Sequence, residues 1–289
     1  ILLFGNLYLD DLVLLRKHHI TPVVFSLENL ASLANVIESP FKIHLELDTG
    51  MCRTGILPKE IQEAIGILKQ NEKIKLEGFF THFACADKLN SSYTEKQSGL
   101  FRDAVEQLLG EGIKPSYLHA ENSAGILDDK SRKLSLVRSG ISLYGVSPYE
   151  SDIKTPLQSV LTWSTKPLQI KHIEVGQSVS YSCTWHACQP TTIAIIPVGY
   201  ADGYPRLASN IGHALVNGIK APIVGNICMD FMMLDVGNCG QVTTNSEVIL
   251  IGNQKNNNVS IHDISGWSST IPYEIMCHMG TRANYIFNE

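Results

Sequence analysis

No run of apolar residues in this 289-residue chain approaches the roughly 18 that a membrane-spanning helix needs. The opening stretch, ILLFGNLYLDD, lacks the basic flank of a secretory signal. Clusters of lysine and arginine are also missing: 23 basic residues against 28 acidic ones give a net charge of −5. That balance leaves no electrostatic footprint for nucleic acid or for an anionic membrane, and points to a small-molecule partner. The seven cysteines never fall at CxxC spacing, so neither a zinc site nor a redox pair is indicated and no metal is expected. Together these absences imply a soluble, cytoplasmic protein with reduced thiols.

What is present is apolar material in two textures. At 44% apolar content the chain can bury a large core, and its length favours two domains, here placed at 1–155 and 156–289. In the first, short apolar runs alternate with helical periodicity, the signature of βαβ units around parallel strands. Strands are expected at Ile1 to Phe4, Pro22 to Phe25, Lys42 to Leu47, Leu76 to His82, Tyr117 to His119 and Leu134 to Arg138. Between them, apolar residues recur at helical spacing, as in Leu30, Leu33, Ala34, Ile37 and Ile61, Ala64, Ile65, Leu68. Ser26 is placed to cap one helix, and Asp10 and Asp11 to open another that ends in Arg16 and Lys17. From about Pro156 the runs become short and β-rich, with turn signals at Asn217-Gly218 and Val236-Gly237-Asn238, which predicts a mostly β second domain.

The expected architecture of the first domain is a parallel (β/α)8-type barrel. A closed barrel needs eight strands and typically about 250 residues, whereas about six of the eight βα units fit here. The expectation is that two N-terminal units, roughly 60 residues or more at about 30 per unit, are missing. An open six-stranded sheet is the alternative.

Barrel active sites lie at the C-terminal ends of the strands, and there the polar residues gather. Strand three leads into Asp48-Thr49-Gly50-Met51-Cys52-Arg53, strand four into Thr81-His82-Phe83, strand five into His119-Ala120-Glu121-Asn122-Ser123, and strand six into Arg138-Ser139-Gly140-Ile141. Singly each has a plain structural explanation: a turn at Asp48 to Gly50, a satisfied core histidine at His82, an ion-paired Arg138. Jointly they put a hydroxyl, two imidazoles and two guanidinium groups on one rim, more costly polar groups than stability alone would gather.

The segments LDTGMCRTG, THFACAD, HAENSAG, VRSGISLYG, VSYSCTW, PVGYADGYPR, APIVGNICMD and IPYE are long, ordered and unusual. In them the chain resembles the alanine racemase family over almost its whole length. The resemblance implies an eight-stranded α/β barrel followed by a β domain, pyridoxal 5'-phosphate as cofactor, and interconversion of L- and D-alanine through aldimine chemistry. It implies that Ser123, the N–H groups of Gly140 and Ile141 and the Tyr273 hydroxyl bind the cofactor phosphate, a dianion that amides and hydroxyls can cradle. Arg138 would meet the pyridine nitrogen and, being unable to give up its proton readily, would leave that nitrogen unprotonated and the ring a weaker electron sink.

Tyr181 is implied as the base on one face of the α-carbon, tuned through polar contacts with His82, Arg138 and His119. The second base is the lysine that holds the cofactor. Lys42, Lys59 and Lys75 stand in no matching motif, so that lysine is expected in the missing strands. Arg53 would bind the substrate carboxylate through a bidentate fork, with Glu46 standing where many relatives have a carbamylated lysine; an exposed strand glutamate is the alternative. Tyr181, Cys228, Met229 and Asp230 would reach the neighbouring subunit's site, making a homodimer part of catalysis. The product would supply peptidoglycan precursors. A non-catalytic homologue that retains the fold is the second hypothesis, motivated by the missing lysine. A barrel decarboxylase is disfavoured because Arg138 replaces its acidic partner for the pyridine nitrogen.

Overall fold

The computed structural model of the protein describes residues 1–5, 7–128, 130, 132, 134–149, 155–280 and 282–287. The chain divides into two compact units, Ile1–Leu143 with Ser147–Thr155, and Tyr144–Val146 with Pro156–Glu289.

The first unit runs β1 (Leu2–Leu3), α1 (Leu12–Lys17), β2 (Thr21–Val24), α2 (Leu27–Val36), β3 (Phe41–Glu46), α3 (Ile61–Gln70), β4 (Ile74–Phe80), α4 (Ser92–Gly110), β5 (Tyr117–His119) and α5 (Ser123–Leu127). Its strands lie in sequence order β1-β2-β3-β4-β5, every neighbouring pair parallel. That is the sheet of a half-barrel, because each strand returns beside its predecessor through a helical crossover. The helices bury the faces that their periodicity marks: Leu30 and Leu33 of α2, Ile61, Ala64, Ile65 and Leu68 of α3, and Phe101, Ala104 and Leu108 of α4 pack with Ile43, Leu45 and Phe79 of the strands. Ser26 caps α2 by accepting the Asn29 N–H at 3.0 Å. Asp10 and Asp11 lie in a short 3-10 turn ahead of α1, which ends at Arg16 and Lys17.

One expected strand differs. Leu134 to Arg138 runs beside β5, yet it forms no regular strand, so the sheet has five strands among the described residues and not six. The Ser135 N–H donates to the Leu118 carbonyl at 3.0 Å and the Arg138 N–H to that of Glu121 at 2.9 Å. The Leu118 N–H, however, donates to the Ser135 hydroxyl oxygen at 2.9 Å. A side chain has taken the place of a ladder carbonyl, and the ladder stops.

The second unit is mostly β. It contains β6 (Trp163–Thr165), β7 (Gln169–Ile173), β8 (Ser178–Val179), β9 (Trp185–His186), β10 (Thr191–Ile196), β11 (His213–Val216), β12 (Ile219–Pro222), β13 (Met232–Asp235), β14 (Val248–Gln254) and β15 (Asn257–Val259), then α6 (Ile261–Trp267) and α7 (Pro272–His278). The order β13-β10-β7 forms one antiparallel sheet, and β12-β11-β14-β15 with β6 on β14 forms another. The two-residue turn Asn217-Gly218 joins β11 to β12 with φ of 56° and 81°, the left-handed pair that matches the twist of a tight hairpin. Among the described residues no helix is long and apolar enough to cross a membrane, and no group of side chains could hold a metal ion.

Candidate active site

The period of two along β3 sends Phe41, Ile43 and Leu45 toward the helices and His44 and Glu46 to the opposite face. Parallel register then aligns Glu46 with Phe80 of β4 and Phe80 with His119 of β5, while His44 stands beside Gly78. A Cβ on Gly78 would lie 2.3 Å from the His44 ring, so only glycine admits this imidazole. The register slips at Glu77, a bulge that frees its carboxylate to bond Lys42 at 2.6 Å and Thr21 at 3.3 Å.

Arg138 ties this face together. Its Nη2 donates to the carbonyls of Thr81 at 2.8 Å and Ala120 at 3.2 Å and to Nδ1 of His82 at 3.2 Å, and its Nη1 donates to Nδ1 of His119. The guanidinium also sits 5.0 Å from the centre of the Phe80 ring, which stacks on His119 at 4.5 Å. Because a guanidinium only donates, His119 Nδ1 must accept, and the neutral ring carries its proton on Nε2. That proton goes to Nδ1 of His44, 2.9 Å away. His44 therefore also holds its proton on Nε2, 3.9 Å from the Glu77 carboxylate. The arginine thus sets the polarity of a chain that runs through two buried histidines.

The electrostatics agree with neutral rings. Burial, then Arg138 and Arg53, push His82 down to about 4. Burial, then Arg138 and His44, push His119 far below the usual histidine range, and burial also lowers His44 against the pull of Glu77. Burial draws Arg138 itself down to about 10, partly countered by Glu46. None of these histidines has a proton to spare near neutrality.

Glu46, Arg53, Thr54, His82 and Arg138 line a cavity of about 480 Å³, together with Phe4, Gly5 and Phe25. Glu46 accepts a hydrogen bond from the Thr54 hydroxyl at 2.7 Å, and no Glu46–Arg53 ion pair within 4.0 Å occurs among the described residues. Glu46 is buried, not an exposed strand residue, and burial raises its pKa while Thr54, Arg53 and Arg138 draw it down. The glutamate acts on Arg53 through space, its shorter side chain being taken up by Thr54. Asp48 forms the turn expected of it, accepting the N–H groups of Gly50 at 2.9 Å and Cys52 at 3.0 Å.

Ser123 does not cap its helix. Asn122 does, taking the Gly125 N–H at 3.0 Å, and this leaves the Ser123 hydroxyl free to face the chain after Arg138. Three donors converge on that oxygen: the Gly140 N–H at 2.9 Å, the Ser142 N–H at 3.3 Å and the Ser142 hydroxyl at 3.1 Å. A cluster made almost wholly of donors suits a group made wholly of acceptors, as phosphate is. Ile141 opens the 3-10 turn Ile141–Tyr144 beside it. Among the described residues the Arg138 bonds use only Nη1 and Nη2, leaving its Nε–H for a ligand acceptor. The donors therefore fit a phosphate and a ring nitrogen. No lysine is among the residues lining the cavity.

Tyr181, Cys228, Met229, Asp230 and Tyr273 stand in the second unit. Tyr181 is 71% exposed within a strained stretch: Ser180, Ser182 and Cys183 have φ of 68°, 63° and 46°. The stretch is held by the Ser180 hydroxyl donating to the Asn226 carbonyl and by Asn226 Nδ2 donating to the Tyr181 carbonyl at 2.8 Å. An apolar cavity of about 620 Å³ lies beside Tyr181 and Cys228. Cys228 and Met229 are pinned through their carbonyls, which accept the N–H groups of Tyr200 at 3.1 Å and Ala201 at 3.0 Å. A Cβ on Gly199 would sit 2.3 Å from both carbonyls. Asp230 pairs with Arg282 at 2.8 Å, and Tyr273 is exposed on the first turn of α7. His44 and Phe80 were not singled out from sequence; the alternation of His44 with Glu46 on one strand face was the available signal.

The alanine racemase N-terminal domain family matches residues 1–148, and the alanine racemase C-terminal domain family matches residues 160–287. An alanine racemase of Halothermothrix orenii is 40% identical, over 96% of this chain and 74% of its own length. The crystal structure of alanine racemase from E. faecalis superposes with a TM-score of 0.89 at 29% identity, covering 97% of this chain and 76% of that one. That of alanine racemase from Bartonella henselae, which has covalently bound pyridoxal phosphate, superposes at 0.87 with 30% identity, covering 99% and 78%. With a half-buried arginine between neutral histidines and a donor cradle beside it, this chain belongs to the alanine racemase family.

Proposed function

We propose that the protein interconverts L- and D-alanine with pyridoxal phosphate, at the strand-end rim of its first unit. The observation that carries this reading is Arg138: a half-buried guanidinium whose Nη groups hold two histidines and two carbonyls, while its Nε–H has no partner among the described residues. Ser123, Gly140 and Ile141, joined by Tyr273, hold the phosphate. Arg138 holds the pyridine nitrogen as a donor, a role that a deprotonatable acid could not fix. The bound cofactor supplies an electron sink that makes the α-proton of the amino acid removable.

The protein's own part is to place and move that proton. Arg53 orients the substrate carboxylate through its planar fork, with the buried Glu46 acting on it through space. Tyr181 takes or returns the proton on one face of the α-carbon. A phenol has a reference pKa near 10, and a neutral His82 backed by Arg138 offers it a hydrogen-bond partner that adds no competing acid. His119 acts as the acceptor that keeps Arg138 in position. The second base and the covalent attachment belong to a lysine, which the cavity-lining residues do not include.

Tyr181 and the Cys228–Asp230 stretch serve the rim of a second subunit in a homodimer, the Tyr181 side chain being exposed and rigidly presented. The setting is the cytoplasm, and the D-alanine feeds peptidoglycan precursors. The test is conversion of L-alanine by the intact protein with added pyridoxal phosphate, followed by stereospecific detection of D-alanine. Mixing inactive Arg138→Met and Tyr181→Phe proteins should restore about a quarter of the activity if sites are shared, by the statistics of random pairing between identical subunits. No D-alanine from the wild-type protein sinks the reading, and no restoration sinks the shared site.

A further inference from the structure

Helix α4 stands outside the cavity, yet one of its side chains reaches the loops that carry Arg53 and His82. Gln97 is fully buried, and every part of its amide is used. Oε1 accepts the Ala84 N–H at 2.9 Å, while Nε2 donates to the His82 carbonyl at 2.9 Å and to the Thr49 hydroxyl oxygen at 3.2 Å. Thr49 and the fully buried Thr81 have their hydroxyls 2.7 Å apart. The amide can point only one way, because the Ala84 N–H can only donate and the His82 carbonyl can only accept.

We infer that Gln97 is the positioning residue of this site: a single buried amide that locks the loop after β3 to the loop after β4, and so fixes Arg53 and His82 relative to Arg138. The inference rests on the racemase reading only for what the positioned groups do. The geometry itself is independent of it.

Every neighbouring constraint converges on the same four residues. The Thr81 N–H donates to the His119 carbonyl at 3.1 Å, and the Thr81 carbonyl accepts Arg138. The Phe83 carbonyl accepts Asn122 Nδ2 at 3.2 Å. Gln97 supplies the remaining pair, the His82 carbonyl and the Ala84 N–H, at the two ends of the His82–Ala84 stretch. Without it the backbone that carries the His82 ring has, among the described residues, no hydrogen bond to α4. The ring must stand with Nδ1 toward Arg138, and its only other control is the rotation of its own side chain.

The chemistry demands this side chain and no other. The point needs one acceptor and two donors in one plane at the reach of two methylenes. Asparagine is one methylene short. Glutamate can receive the Ala84 N–H but turns a second oxygen onto the His82 carbonyl, which repels it. Leucine fills the space and leaves a buried N–H and a buried carbonyl unpaired.

Two variants of the intact protein test the inference. Gln97→Glu should remain folded by circular dichroism and thermal melting, while the Ala84 amide stays protected from hydrogen exchange. Its His82 ring nitrogens, read by long-range proton–nitrogen NMR, should move away from the wild-type pattern in which Nδ1 accepts from Arg138. The kcat for alanine should fall at least tenfold, with KM changed less than threefold. Thr49→Val, nearly isosteric, leaves the Gln97 bonds to His82 and Ala84 in place and removes the bonds of the Thr49 hydroxyl to Gln97 and to Thr81. It should raise KM for alanine at least threefold, with kcat within twofold and the His82 ring signals unchanged.

A folded Gln97→Glu protein whose His82 signals and kcat match the wild type overturns the inference, as does a Thr49→Val protein with wild-type KM. If Gln97→Glu does not fold, Thr49→Val decides the matter alone. A wild-type protein with no racemase activity overturns the functional reading instead, and the His82 signals then still report on Gln97.

Discussion

The two units present their candidate residues by opposite means. In the first unit, Arg138, His119 and His44 are held by side chains that bond one another, Glu46 is held by the Thr54 hydroxyl, and the three residues other than Arg138 stand on ordinary strand. In the second, Tyr181 and Met229 are 71% and 54% exposed, and the backbone positions them: left-handed residues on both sides of Tyr181, and glycines at 199 and 225 where any Cβ would collide. The first set is rigid because its polar groups have no alternative partners. The other is rigid because its backbone has no alternative path. Mutations should therefore fail differently in the two units.

The largest effect is expected from Arg138→Met. It strips donors from two histidines and two buried carbonyls at once, and unsatisfied buried groups cost about 1 to 3 kcal/mol each before relaxation and water entry. A loss on the order of 3 to 4 kcal/mol in urea unfolding, with activity down more than a hundredfold, is the predicted outcome. A stability change below 1 kcal/mol would show that the layer is not held by side-chain bonding.

Acid should reach the first unit next. His82 is neutral when folded down to about pH 4, whereas an unfolded histidine takes a proton near 6.5. Between those values the unfolded state binds more protons, so stability falls as pH drops from about 6.5 to 4. His44 and His119 add in the same direction. His82→Gln should flatten this limb of the stability profile by up to about 3 kcal/mol, the equivalent of the shift at 1.36 kcal/mol per unit. An unchanged slope would mean that His82 is protonated in the folded state.

In the second unit, Gly225→Ala puts a methyl 2.4 Å from the Val179 carbonyl at φ +75°. A destabilisation of roughly 2 kcal/mol is expected from the strained backbone alone, with Tyr181 displaced and activity reduced. The smallest structural effect belongs to Tyr181→Phe. The side chain is exposed, so thermal unfolding should shift by less than about 0.5 kcal/mol, while catalysis falls by about 10² to 10⁴, the usual worth of a positioned acid or base. Equal losses of stability and activity would contradict the comparison drawn above.

The same contrast explains what sequence alone could reveal. The parallel half-barrel and the β domain are legible because hydrophobic period reports burial, as at Ile61, Ala64, Ile65 and Leu68. Polar residues at strand ends marked His82, His119 and Arg138, and the sequence reading included each of them. It passed over His44 because an imidazole inside a strand looks like any half-buried position until Gly78 is seen beside it. Leu134 to Arg138 carries strand composition, but a serine hydroxyl captures the ladder N–H, a competition that no propensity encodes. Gln97 looks like a surface residue of an amphipathic helix. Ser180, Ser182 and Cys183 carry no glycine to announce their left-handed backbone, so the strain around Tyr181 was invisible.

The most direct test of the account is racemisation in deuterium oxide, starting from L-alanine and pyridoxal phosphate with the intact protein. The account predicts D-alanine carrying deuterium at the α-carbon, because the proton removed on one face is replaced from an exchangeable group on the other. D-alanine that retains its original α-hydrogen, or L-alanine left unchanged at saturating cofactor, would contradict it.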